Sequence, residues 1–306
     1  MHFPTVALIG KYHDAGIGKP LLELAHMLRE AGREVIFEAD TAANTGITSF
    51  PAATFKEIGT RASLAIVMGG DGTMLNAARK LAAANVPLAG INHGRVGFIT
   101  DIPLPRALEA VRQVLDGQYQ SEERVLLHGA VRRGKTQLFS TLALNDVVLS
   151  RAGPGGMIEM RIDVNGETMA SMRADGLVIA TPTGSTAYAL SANGPILHPA
   201  LRGVVLVPVA PQTLSNRPIV LPDSSRIEVL FTFSGRVSGG ASVHFDMQAW
   251  SELMPGDVIA VERSPHTIQL LHPTGYSYFE TLRQKLHWNR MPTQTDTELT
   301  QSDPDR

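Results

Sequence analysis

Short apolar runs alternate with segments of helical period through the first third of the chain, the pattern of a parallel sheet covered on both faces. Val6 to Ile9 predicts a strand. Pro20 suits the first turn of a helix whose Leu21, Leu24, Ala25 and Leu28 share one face until Gly32 ends it. Val35 to Phe37 and Leu64 to Met68 predict two further strands, the second running into a glycine-rich turn and a helix through about Ala84. Leu88 to Ile91 predicts another strand. From about Val125 the pattern changes to β-branched alternation broken by turns at Asn165-Gly166 and Gly239-Gly240. Strands are expected at Leu177 to Ala180, Val204 to Val209, Ile227 to Phe233 and Val258 to Glu262. Pro103 to Asp116 is helical in period, and Tyr276 to Trp288 suits a terminal helix.

The fold class expected is α/β plus all-β, an N-terminal open α/β sheet domain with a mainly β C-terminal domain. Residues 1–102, completed by 274–290, form the first, residues 118–273 the second, and 291–306, polar and without period, a disordered tail.

Composition narrows the function. The 306 residues are 43% hydrophobic and 18% charged with a formal net charge of −2, and the basic residues are scattered, which argues against nucleic acid or an anionic membrane as partner. The chain has no cysteine, so disulfides, thiolate metal sites and a cysteine nucleophile are excluded. Its 10 histidines show no HExxH or comparable ligand spacing, and no side chain is assigned to metal. Neither a signal core nor a membrane span is legible, and a cytoplasmic enzyme is expected.

Chemistry concentrates in two segments. Gly69-Gly70-Asp71-Gly72-Thr73 follows the strand LAIVM and precedes a helix. Its glycines leave backbone N–H groups free to meet phosphate oxygens, and Asp71 places a carboxylate among them. ATPTGSTAYALSANGPILHP, Ala180 to Pro199, gathers hydroxyl, amide and backbone groups suited to a ribose or a nicotinamide. Two acids beside polar partners, Asn145-Asp146 and Arg173-Ala174-Asp175-Gly176, could join them. Other nucleotide and nucleophile motifs fail: Gly18-Lys19 is followed by Pro20 where a P-loop needs a hydroxyl, no GxGxxG follows a strand, the HRD and DFG signatures are absent, and Ser185 lacks a GxSxG elbow.

In order along the chain, GGDGT at 69–73, INHGRVGFIT at 91–100, NDVVLSR at 145–151, RADG at 173–176 and TPTGSTAYALSANGPI at 181–196 resemble the NAD kinase family. GGDGT alone is shared with lipid kinases, whereas the long Thr-Pro-Thr-Gly-Ser-Thr-Ala-Tyr run is far more specific. The resemblance implies an ATP-dependent transferase that phosphorylates the adenosine-ribose 2′-hydroxyl of NAD, with a divalent metal ion such as magnesium, in a homo-oligomer whose ligand sites lie near subunit contacts. It implies Asp71 as the acid/base group. Gly72, Thr73, Asn145, Asp146, Arg173, Asp175, Thr186, Ala187, Tyr188, Ala189, Leu190, Ser191 and Gln248 become dinucleotide contacts. Two positions depart from the family pattern: Asn193 and Met247 stand where glycine is usual. A lipid kinase would need an apolar groove or membrane anchor, and a non-catalytic dinucleotide sensor would have no use for a base at position 71.

Overall fold

The computed structural model describes residues 2–11, 15–94, 97–153, 156–234 and 240–288. The expected tail at 291–306 and Gly239 of the expected turn lie outside them.

The first third builds a parallel sheet. Its strands are β1 (Thr5–Gly10), β2 (Glu34–Glu38), β3 (Ala52–Ala53), β4 (Leu64–Gly69), β5 (Leu88–Asn92) and β6 (Ile102–Pro103), and its helices are α1 (Gly18–Glu30), α2 (Ala39–Thr45), α3 (Phe55–Arg61), α4 (Asp71–Leu81) and α5 (Ala107–Leu115). β1, β4 and β5 are buried along their whole length, because helices cover both faces: Val6 and Leu8 join a core with α1 and α5, while Ala7 and Ile9 join the opposite one with α4. Periodicity did not expose α2 and α3, which are only 7 residues each and begin at local caps, Glu38 accepting from Asp40 and Thr41 N–H and Thr54 forming a capping box with Glu57.

The remainder contributes β7 (Tyr119–Arg133), β8 (Thr136–Ala143), β9 (Asp146–Arg151), β10 (Ile158–Val164), β11 (Glu167–Ala174), β12 (Gly176–Ala180), β13 (Gly203–Val209), β14 (Ile219–Pro222), β15 (Ile227–Ser234), β16 (Ala241–Phe245), β17 (Ala249–Leu253) and β18 (Val258–Pro273). Helix α6 (Tyr188–Ser191) interrupts them and α7 (Tyr278–Leu286) follows. One sheet runs β14-β13-β12-β9-β16-β17. The expected strand Val258 to Glu262 continues to Pro273, pairing antiparallel with β7 and meeting β5 in parallel at Leu270 and Leu88. Through β18 the parallel strands and β15-β10-β11 therefore belong to one continuous sheet. Leu149, Leu177, Leu206 and Val243 of one sheet pack on Val131, Ile162, Phe231 and Val261 of the other, forming the second core.

Candidate active site

β4 delivers Gly69 and Gly70 to the carboxyl edge of the parallel sheet, and α4 starts at Asp71 with glycine at its N-cap. The half-buried Asp71 carboxylate closes the loop after β5 onto this helix. Oδ1 accepts from Ile99 N (3.3 Å), Thr100 N (3.2 Å) and Thr100 Oγ1 (2.9 Å), and Oδ2 accepts from Phe98 N (2.8 Å). Glycine is required at position 97 by this approach, since a Cβ there would lie 1.8 Å from Asp71 Oδ1. Gly72 and Thr73 line a cleft of about 360 Å³ with Lys11, Glu38, Asn76 and Gln248.

Gln248 links that cleft to Asn145-Asp146. Its Nε2 donates to Gly72 O (2.7 Å) and its Oε1 accepts from Arg79 (2.7 Å), whose Nε lies 3.5 Å from Asp246 Oδ2. The buried Asp246 carboxylate in turn accepts from Leu144 N (2.9 Å), Asn145 N (2.7 Å) and Asp146 N (3.2 Å). Residues far apart in sequence thus hold the Asn145-Asp146 turn against the GGDGT helix. Asp146 is 2% exposed, and burial, with the charge of Asp246 second, pushes its carboxyl up to about 7. Burial also raises Asp246, the three backbone N–H groups and Arg79 offsetting part of the effect. The family's usual glycine at 247 has a reason here: Asp246 and Met247 both take left-handed backbone angles, with φ of 52° and 54°, in the turn that aims Gln248.

The polar stretch after β12 is tied to the same turn. Thr181 N donates to Asn145 O (2.9 Å) and Thr181 Oγ1 to Leu144 O (2.5 Å). A Cβ at Gly184 would fall 2.0 Å from Asn145 O, so only glycine permits this contact. Ser185 staples the loop, donating to Pro182 O (2.6 Å) and accepting from Leu197 N (2.9 Å). Thr186, Ala187 and Leu190 are half-buried, while Tyr188 and Ser191 are exposed. Ala189 points instead into an apolar cluster with Val178, Val205 and Val207, where it anchors α6 on the sheet. Asn193, in the left-handed region at φ 63°, keeps the backbone a glycine would adopt.

Arg173 and Asp175 stand apart from the Asn145-Asp146 turn. Register pairs Ala180 with Asp146 but Gly176 with Ser150, which puts the Asp175 end of β12 about 13 Å along the strand from Asn145-Asp146. Asp175 pairs with Arg151 (3.0 Å) and shares a cavity of about 360 Å³ with Tyr188. Arg173 pairs with Glu159 across β10 and β11 and lines a separate open cavity with Gln212 and Thr213. Gly97 and Thr100 lie in INHGRVGFIT, Thr181 and Gly184 in TPTGSTAYALSANGPI and Asp246 two residues before Gln248, though none of them is among the expected contacts; Arg79 carries no motif at all.

A carboxylate at a helix start, a glycine turn at a sheet's carboxyl edge and a second polar loop tied to it suit a phosphotransferase that lacks a P-loop. Comparison with known proteins supplies the particular family. Residues 21–119 match the ATP-NAD kinase N-terminal domain and residues 144–273 the ATP-NAD kinase C-terminal domain. The NAD kinase of Bordetella parapertussis is 63% identical over 296 residues, spanning 97% of this chain and 99% of that protein. The NAD kinase of Paraburkholderia phytofirmans is 55% identical over 291 residues, 95% and 96% of the two chains. Among solved structures, yeast NADH kinase complexed with NADH superposes with a TM-score of 0.84 over 94% of this chain and 88% of that one, at 24% identity. An NAD kinase from Archaeoglobus fulgidus in complex with ATP gives 0.71 over 92% and 98%, also at 24% identity. The chain belongs to the ATP-NAD kinase family.

Proposed function

We propose that this enzyme transfers the terminal phosphoryl group of ATP to the 2′-hydroxyl of the adenosine ribose of NAD, giving NADP and ADP, with Asp71 as the group that accepts the hydroxyl proton. The setting of Asp71 carries the reading. Among the described residues Oδ1 takes three donors while Oδ2 takes one. A carboxylate oxygen has two lone pairs, so Oδ2 retains one for the incoming proton. Phosphoryl transfer otherwise asks for alignment and charge neutralisation, which rigid turns supply.

In this reading Gly72 and Thr73 meet the dinucleotide at the start of α4, where first-turn amides face phosphate oxygens. Asn145 and Asp146 take its ribose, Thr186, Ala187, Tyr188, Leu190 and Ser191 grip its far half, and Gln248 closes the gap between the loops. Ala189 contributes backbone only. Arg173 and Asp175 complete the ligand site in a homo-oligomer, a dimer or tetramer. Residues 1–102 with 274–290 form one unit and 118–273 the other. Magnesium would be held chiefly by the donor's phosphates and by water, and would supply charge neutralisation for the transferred group. We place the enzyme in the cytoplasm with neither nucleic acid nor membrane as partner. No described helix is long and apolar enough to cross a bilayer.

The test is a coupled assay of NADP formation with purified protein, NAD, ATP and magnesium. Tight NAD binding without NADP formation would make the protein a dinucleotide sensor.

A further inference from the structure

β18 ends beside Asp101, in the loop after β5, and Glu122 of β7, and its penultimate residue, His272, is 1% exposed. Its Nδ1 lies 3.1 Å from Asp101 Oδ2 and its Nε2 3.3 Å from Glu122 Oε2. Both approaches are oblique to the ring N–H directions, so charge rather than aligned hydrogen bonding holds the imidazole. Glu122 also receives Arg124 (2.8 Å), and Arg124, buried on β7, donates to Thr183 Oγ1 (3.1 Å). At the other end, Asp101 directly follows Thr100, whose N–H and hydroxyl hold Asp71. A line of polar contacts therefore runs from the Asp71 loop through His272 to the turn that begins at Thr181.

The segment after β18 strengthens the same bridge. The Tyr276 ring stacks on His272 at 3.8 Å between centroids and 9° between planes, and Tyr278 OH donates to Leu197 O (3.4 Å), the residue stapled to Ser185. Lys285 on α7 sits over the Phe98 ring at 5.9 Å. α5 meets β18 through apolar residues around Leu271.

Two carboxylates, both half-buried, and one buried guanidinium leave one negative charge in excess around His272, and an imidazolium cancels it. Neutral imidazole would turn a lone pair toward a carboxylate oxygen at one side. Burial opposes the charge on His272, but Asp101 and Glu122 outweigh it and raise the pKa above the usual histidine value. Glu122, despite its own burial, is held at about 2 by His272 and Arg124.

We propose that His272, in its protonated form, is a positioning residue for phosphoryl transfer, locking the loop that holds Asp71 to the loop of Thr181 to Ser191 so that both halves of the site keep one geometry. The proposal rests on the NAD kinase reading above and deepens it. The test compares the full-length wild type, His272→Gln and the charge-balanced Glu122→Gln/His272→Gln, with kcat measured from pH 6 to 9 well below the melting temperatures. His272→Gln is expected to lower kcat at pH 7 at least tenfold. It should also abolish an alkaline fall in kcat that the wild type shows, and the double variant should recover at least threefold over the single one. ¹⁵N NMR of the wild type should find one imidazole that stays doubly protonated to higher pH than the others, an observation available even if the variants fail to fold. The proposal is overturned if His272→Gln melts lower yet keeps kcat within about twofold throughout, if both variants lose activity equally, or if no imidazole titrates above the ordinary histidine value. A wild type that forms no NADP would instead sink the kinase reading.

Discussion

Asp71→Asn tests the proton acceptor, and the structure changes what must be measured beside it. Asparagine keeps one acceptor oxygen. Placed at Oδ1 it still serves Ile99 N, Thr100 N and Thr100 Oγ1, but its amide then confronts Phe98 N–H, which the carboxylate meets at 2.8 Å. An unsatisfied donor costs about 1–3 kcal/mol, the lower end applying to a half-exposed site. At roughly 2–4 °C per kcal/mol for a chain of this size class, the melting temperature should fall by a few degrees. Loss of a positioned base costs about a hundredfold to ten-thousandfold in rate, on the order of 3–5 kcal/mol of barrier. Since stability drops under either role, melting alone does not separate base from latch. Thr100→Val does: it removes a donor to Asp71 and leaves the carboxylate intact. We expect Thr100→Val to keep turnover within about tenfold, and Asp71→Asn to lose at least about a hundredfold while still binding NAD. The assay is NADP formation at saturating ATP and magnesium at 25 °C. Equal losses in the two variants, or Asp71→Asn within about threefold of the parent, would refute a proton-accepting Asp71.

Four further variants have outcomes set by the geometry. Asp146 is raised in the fold to about 7 from an ordinary 3.8, so the folded state binds its proton more tightly and this group's contribution to stability is lost as pH rises through that window. Asp146→Asn should therefore melt higher than the parent at pH 8 and show no such advantage at pH 4, which a thermal series in matched buffers checks; a gain independent of pH would contradict the assignment. Met247, 60% exposed at φ 54°, carries a left-handed cost of about 1–2 kcal/mol that glycine lacks. Met247→Gly should raise the denaturation midpoint, whereas Asn193→Gly should move neither that midpoint nor the Michaelis constant for NAD appreciably. Gly184→Ala drives a methyl into the Asn145 carbonyl and should rank among severe point changes, about 3 kcal/mol or more, detected as a lost or sharply lowered melting transition.

Features legible in the sequence are those encoded locally. Strands covered on both faces declare themselves as unbroken apolar runs, so β1, β4 and β5 fall where the pattern puts them. A glycine turn after a strand announces a phosphate loop whatever the rest of the chain does. The short helices α2 and α3 escaped because a pair of helical turns carries too little period to detect, although their caps stand in the sequence. Only tertiary structure could extend β18 to Pro273, since that strand's identity depends on pairing with β7 and β5 rather than on its own alternation. Long-range pairing likewise decided the site's framework. Gln248 reaches Gly72 and Asp246 gathers the amides of 144–146 across gaps of about 100 residues or more, and His272 comes to lie between Asp101 and Glu122. No local pattern marks such contacts, because the free energy that selects them comes from burial and hydrogen bonding between segments that meet only once both sheets have closed on their cores.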